Sequence, residues 1–325
     1  MQRMGKADTH VHTEYSGVAI LGPMKFPESV STPEKQVDRA RDNGMDVVCI
    51  TDHDEIVGAI KAQQYAKQFD DIEVVIGEEV TTADGEIIGL FLNERVPSNL
   101  SVEETIDIIR SQGGLTIAPH PFSFHVPGLQ EKIFSLDLDG FEVINGGHVD
   151  SYSNAFAQEV MDRYPGRWAP ISGSDAHSIH TAGFNWTEFE GNTAEDFRRA
   201  VLDKKTVAMG RPTPVLNTLH WSMEVVWGGQ LMMYRSIIHR LPEDEEKLLV
   251  TKINSLSKLK KATGIVCGFI YVMPPVSFIA TWLSTSFLNR GSRKMRRGMQ
   301  ERLDEVSRIV VDVPPDNANH IRELN

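Results

Sequence analysis

Cysteine is nearly absent. Cys49 and Cys267 are the only two, each inside an apolar run and far from the other, so neither a disulfide framework nor a thiolate zinc site is supported and a reducing compartment is expected. The N-terminus passes straight into polar, histidine-bearing sequence without the apolar stretch an export signal needs, which predicts a cytoplasmic location. Net positive charge is lacking too. A formal charge of −12 excludes the broad basic field that stable binding of duplex nucleic acid would require, and leaves room only for local basic patches. No internal repeat or low-complexity segment is visible. What 325 residues with 41% hydrophobic content do allow is one large domain with something smaller beside it.

From Ala7 to about Leu216 one event recurs: a polar, helix-like stretch, a turn signal, then a short apolar run that ends in a chemically active residue. The turns are Asn43-Gly44, Gly113-Gly114, Asp139-Gly140 and Pro165-Gly166; the runs after them are Val47–Ile50, Leu115–Ala118, Phe141–Ile144 and Trp168–Ile171. Further runs at Val74–Ile76, Ile87–Leu92 and Thr206–Met209 bring the strands to seven or eight. Strands alternating with helices predict parallel pairing, and that number is the one at which such units close into a barrel; an open doubly wound sheet is the competing arrangement.

The strongest chemical signal is Asp8-Thr9-His10-Val11-His12, because alternate residues of an extended segment point the same way and aim two imidazoles at one place. Alone, such a pair is weak evidence of a metal, since histidines on strands are often just partly buried polar residues. The same residue types recur, however, at the ends of the other runs: Asp52-His53-Asp54, Glu78-Glu79, His120, His148 and Asp175-Ala176-His177. In a parallel barrel all strand C-termini share one face, so these side chains would converge. Ionised groups packed so densely need counter-charge, and mixed nitrogen and oxygen donors without thiolates favour zinc, manganese or iron over calcium. So many ligands suggest two or three ions sharing a bridging carboxylate. The reaction expected there is hydrolysis of a phosphate ester by metal-bound water.

In their order, DTHVH, ITDHD, GEE, APHPF and SGSDAH resemble the PHP (polymerase and histidinol phosphatase) family of metal-dependent phosphoesterases, over roughly Ala7 to Pro214. The resemblance implies a distorted, TIM-like (β/α)7 barrel of the α/β class with a trinuclear centre, acting on a small phosphomonoester, a nucleotide or an oligonucleotide end. It also implies that His10, His12 and Asp175 hold one metal with a bridging glutamate, that His120 and His148 serve a second, and His53 with His177 a third. The family's Gly-x-Glu pattern selects Glu79 over Glu78 as the bridge. Two positions depart from the family: Gly17 stands where an acidic or histidine ligand is frequent, and Glu86 where a histidine often stands. Glu86 reads as a ligand or as a solvated turn residue. Asp8 and Asp52 are candidates for orienting imidazoles, with turn or cap roles open to both. Arg211 is a candidate for holding a substrate phosphate, and His125 and His180 read as loop residues. The missing acid at Gly17 also leaves open a membrane-tethered metal-binding scaffold without turnover.

After the Pro-rich edge at Gly210–Pro214 the design changes. The expected organisation is a phosphoesterase barrel over 1–217, a helical, charged linker over 218–263, an apolar segment over 264–288 and a basic, then polar tail over 289–325. The apolar segment is 25 residues long and free of charge, with lysines before it and arginines after it, which suggests association with the inner face of the cell membrane. Pro274-Pro275 at its middle argues against a simple crossing and leaves re-entry or burial in protein open.

Overall fold

The computed structural model describes residues 3–21, 24–244 and 247–311, so the last part of the tail, 312–325, lies outside the described residues. Strand β1 (Met4–Val11) leads into the hairpin of β2 (Val18–Leu21) and β3 (Met24–Pro27), followed by α1 (Pro33–Asp42), β4 (Val47–Ile50), α2 (Val57–Ala66), β5 (Glu73–Thr81) and β6 (Glu86–Leu90). Next come α3 (Val102–Ser111), β7 (Leu115–Ala118), β8 (Gly140–Asn145), α4 (Ser153–Arg163), β9 (Ala169–Gly173), β10 (Asn185–Glu190), α5 (Ala194–Leu202) and β11 (Val207–Gly210). Local chemistry sets the helix starts. Thr32 caps α1 ahead of Pro33, while Ser101 with Glu104 and Thr193 with Asp196 form capping boxes on α3 and α5, satisfying amides that have no partner inside the helix.

Nine strands form one sheet in the order β11-β10-β1-β4-β5-β6-β7-β8-β9. Its pairing is mixed, which corrects the all-parallel expectation: β1–β4–β5 and β7–β8–β9 are parallel, whereas β5–β6–β7 and β1–β10–β11 are antiparallel. The connection from Thr81 to Glu86 is a tight turn, far too short for the crossover that a parallel partner needs. The sheet curls until its ends nearly meet. Beyond β9, Ala176 exchanges backbone hydrogen bonds with the end of β1, His12 N donating to Ala176 O at 3.0 Å and Ala176 N to His10 O at 3.4 Å.

Inside the curl Ala7, Val47, Cys49, Val75, Ile88 and Ile171 are packed together. Outside it the helices cover the sheet, and a layer of Phe122, Phe141, Phe156 and Trp168 joins α3, α4 and the C-terminal helices through Leu303 and Val306. Full burial of each such aromatic is worth roughly 2–3 kcal/mol.

Among the described residues of the C-terminal third the regular elements are helices: α6 (Val215–Ile237), α7 (Leu248–Ser255), α8 (Lys258–Val272), α9 (Val276–Arg297) and α10 (Met299–Val311). The apolar run is divided between α8 and α9, which meet at 80° across Met273–Pro275; among the described residues no single helix is long and apolar enough to cross a membrane. Proline lacks the amide a continuous helix would use and clashes with the preceding turn, so the break falls at the proline pair.

Candidate metal centre

The side chains that converge at the barrel mouth come from the ends of β1, β4, β5, β6, β7, β8 and β9. His10 and His12 sit on the same side of β1, and their Nε2 atoms approach to 2.9 Å. Glu79 Oε2 lies 3.1 Å from His10 Nε2 and 3.3 Å from His12 Nε2, and Asp175 Oδ1 lies 3.6 Å and 3.3 Å from the same two atoms. The other oxygen of Glu79 is 3.0 Å from His120 Nε2, and its Oε2 is 3.4 Å from His53 Nδ1, so one carboxylate faces four imidazoles. Glu78, the next residue on β5, points the opposite way and accepts from Val96 N at 2.8 Å. Strand alternation therefore makes Glu79 the central one of the pair.

The imidazoles are oriented by groups that sequence reasoning did not single out. Glu142, buried on β8, accepts from His10 Nδ1 at 3.0 Å, from the His120 amide at 2.8 Å and from Asn145 Nδ2 at 2.8 Å. Ser16 Oγ lies 2.8 Å from His12 Nδ1, His148 Nδ1 donates to Asn145 Oδ1 at 2.9 Å, and His177 Nδ1 donates to its neighbour Asp175 O at 3.1 Å. A proton held on Nδ1 leaves a lone pair on Nε2. That is the tautomer a ligand needs. The roles expected of Asp8 and Asp52 resolve as bracing rather than imidazole contacts: Asp8 accepts from Ser174 N at 2.9 Å, and Asp52 takes both the amide and the hydroxyl of Thr13, at 2.5 and 2.6 Å. Both tie the loops that carry the clustered histidines and carboxylates to each other.

Backbone geometry bears the same mark. His120 and Asp175 adopt φ of 28° and 51°, a left-handed region that costs a non-glycine residue on the order of 1 kcal/mol and collects at functional sites. At Gly173 a Cβ would come within 2.5 Å of His10 Cβ and 2.6 Å of Glu142 Oε1, and at Gly58 within 2.0 Å of Asp52 Oδ2, so neither approach tolerates a side chain.

Two further carboxylates join the cluster. Glu86 is buried with Oε1 3.8 Å from His53 Nδ1 and Oε2 3.7 Å from His120 Nε2, which makes it part of the site rather than a solvated turn residue. Glu28, just past the β2–β3 hairpin, places Oε1 3.6 Å from His53 Nε2 and 3.7 Å from His177 Nε2. Its backbone carbonyl accepts from the Trp221 indole of α6 at 3.1 Å, and that ring packs on His177 with centroids 5.7 Å apart. Gly17 has no side chain to offer where an acid or histidine is frequent in the family, and Glu28 brings a carboxylate to His53 and His177 from another part of the chain.

His148 is buried beside both His120 and His125, with ring centroids 5.6 and 4.6 Å away, and its Nε2 has no hydrogen-bond partner among the described residues. His125, expected to be a mere loop residue, shares with His148 and Asp150 a potential metal-holding group. His180 packs on His220 of α6 instead, and the exposed Arg211 lies with its guanidinium over the Phe184 ring, 5.8 Å from the centroid.

Charges respond to this crowding. Burial favours neutral carboxyls, but the facing imidazoles outweigh it and hold Glu79 and Asp175 well below the usual carboxylate range; against the same burial, His53 and His177 hold Glu28 at about 2. Burial, with Glu79 alongside, pushes Glu86 up to about 7. Burial and the neighbouring His120 and His125 push His148 well below its ordinary value, keeping it neutral.

The donor set fits divalent cations. Donors bonded to one ion at about 2.0–2.2 Å stand roughly 2.8–3.6 Å apart, from octahedral to tetrahedral geometry, and the spacings of His10 and His12 from each other and from Glu79 and Asp175, 2.9–3.6 Å, fall in that range. The groups His10–His12–Glu79, His12–His53–His177 and His53–Glu79–Glu86 each gather their donor atoms within 4.8 Å.

The PHP-domain family model matches residues 8–152 and the PHP-associated model residues 152–206, together enclosing every residue of the cluster. The chain belongs to the PHP family. Its relatives include two uncharacterized proteins of Methanocaldococcus jannaschii: MJ1587, 51% identical over 49% of this chain and 94% of its own length, and MJ1588, 30% identical over 34% of this chain and 94% of its own. Among solved structures, PsfC from Pseudomonas syringae aligns with a TM-score of 0.49 at 16% identity, over 68% of this PHP chain and 98% of PsfC.

Proposed function

We propose that this PHP protein hydrolyses a phosphate ester, using two or three divalent cations held at the barrel mouth. The observation that carries the reading is the meeting of His10 and His12 Nε2 at 2.9 Å against Glu79 and Asp175, an arrangement of lone pairs and carboxylates that cationic charge stabilises. His10, His12 and Asp175 would hold one ion with Glu79, His120 and His148 would serve a second with Glu86 nearby, and His53 and His177 would serve a third with Glu28. Zinc, manganese or iron, when bound, would supply Lewis acidity and charge stabilisation for displacement at phosphorus. The protein's part is orientation. Glu142 and Asn145 fix the tautomers of His10 and His148, and the burial of His10, His12, Glu79 and His148 keeps bulk water from the donors. The exposed Arg211, and the exposed His125 beside His148, are the groups we assign to substrate oxygens.

The test is a phosphoester panel, spanning small phosphomonoesters, nucleotides and short oligonucleotides, presented to the full chain loaded with manganese, zinc or iron beside His10→Ala. Hydrolysis of one class, lost in the variant, supports the reading and names the substrate. Bound metal with no turnover on any of them would favour the scaffold instead.

A further inference from the structure

Helices α8 and α9 are built inside out. The face that α8 presents to α6 is small or polar: Gly264 lies against Met233, Gly268 against Gln230, Gln230 donates to Ile265 O at 2.7 Å, and Tyr271 Oη meets Ser222 Oγ at 3.1 Å. Helix α9 fully buries Ser277 and Ser292, both 0% exposed, yet leaves Trp282 at 66% and Phe287 at 76%. Phe269, Ile270, Met273, Ile279 and Leu283 are also exposed, on both arms of the elbow and at its corner. A helix resting on a protein core does the reverse, burying its large apolar residues and exposing its serines. The apolar surface continues onto α6, where Leu216 and Leu219 wall a groove of about 380 Å³ with Phe278 and Trp282.

Charge decides what covers this face. Residues 258–297 contain eight Lys or Arg and no Asp or Glu, in a chain whose net charge is −12. The basic residues stand at the two far ends of the elbow, Lys258 and Lys260 opening α8 and Arg290 to Arg297 closing α9, with the uncharged stretch between them. A symmetric pair of chains would set basic ends against basic ends, because an isologous contact brings one patch onto itself. An anionic bilayer surface complements both features, taking the apolar faces to the headgroup–acyl boundary and the basic ends at the headgroups.

We propose that the α8–α9 elbow is a peripheral docking surface for anionic membranes, lying in the interface rather than crossing it. The 80° bend and the exposure on both arms suit in-plane seating, in which neither helix has to span the hydrocarbon. The proposal is independent of the chemistry at the barrel mouth.

The test is flotation of the full chain with vesicles of phosphatidylcholine alone and of phosphatidylcholine containing roughly 30% phosphatidylglycerol. The expected result is co-flotation with the anionic vesicles, at least ~10-fold above the neutral ones and weakened when salt is raised several-fold. Trp282→Asp with Leu283→Asp should abolish it, and Arg296→Glu with Arg297→Glu should remove its salt-sensitive part. Because these positions are exposed, both variants should keep the wild-type circular dichroism and melting curve, and a variant that does not is replaced by Phe287→Ser. Folded protein that ignores anionic vesicles overturns the proposal. So does a dimer seen by sedimentation that dissociates in the Trp282/Leu283 variant without vesicle binding, which would give the face to a second copy.

Discussion

The barrel mouth and the C-terminal elbow break the ordinary rules of burial in opposite directions. At the mouth, His10, His12, Glu79 and His148 are buried although each is polar; on the elbow, Trp282, Leu283 and Phe287 are exposed although each is apolar. Buried polar groups and exposed apolar ones cost free energy unless something outside the chain offsets them. Each violation is therefore a description of a partner: dense lone pairs and carboxylates describe cations, and an apolar face with basic ends describes an anionic interface.

If that contrast is right, substitutions in one region should leave the other's readout untouched. The largest effect is expected from Glu79→Gln, which removes the carboxylate shared by His10, His12, His53 and His120: metal content should fall and hydrolysis drop by more than the ~100-fold that loss of an outer partner typically costs. Vesicle flotation should be unchanged. Glu142→Gln, which touches no proposed ion directly, should weaken metal affinity by ~10–100-fold in a titration, because His10 Nδ1 loses its acceptor charge. Glu28→Gln should be milder still, about 10-fold or roughly 1.4 kcal/mol in occupancy of the His53–His177 position, with the other ions retained. The smallest effect on chemistry belongs to Arg302→Ala. Its guanidinium bonds Glu131 at 2.6 Å, the Tyr152 hydroxyl at 2.6 Å and Gln130 at 2.7 Å, so the variant should lose about 2–3 kcal/mol of stability in a denaturant melt while metal content per folded chain stays constant.

The converging side chains were legible in the sequence because each stands at a strand end inside a short motif, and a two-residue period puts His10 with His12 and separates Glu79 from Glu78. Strand positions were legible for the same reason: Val47–Ile50 and Leu115–Ala118 are bounded by Gly-containing turns and filled with apolar residues. Strand direction was not, since it depends on whether a connection such as Thr81 to Glu86 carries a helix. Nor was β10, whose alternating Asn185–Glu190 pattern lacks an apolar run. Glu142 and Glu28 escaped notice because the imidazoles they face lie far away in sequence, and Asn145, only three residues from His148, because the turn that brings the two together has no sequence signature. Glu142 did carry a signal: it is an acid within the apolar run Phe141–Ile144, at a position that points into the barrel mouth with His10 and His120. The apolar segment looked continuous by composition, and only Pro274-Pro275 showed that it would fold as two arms.

The most direct check of the central claim is a count of ions per chain. Full-length protein and Glu79→Gln, each loaded with manganese, zinc or iron and dialysed to constant composition, would be compared by elemental analysis. About two or three ions are expected per wild-type chain and fewer in the variant, since one carboxylate would be shared between them; a count of one or none, or a count that Glu79→Gln leaves unaltered, would contradict a shared metal centre.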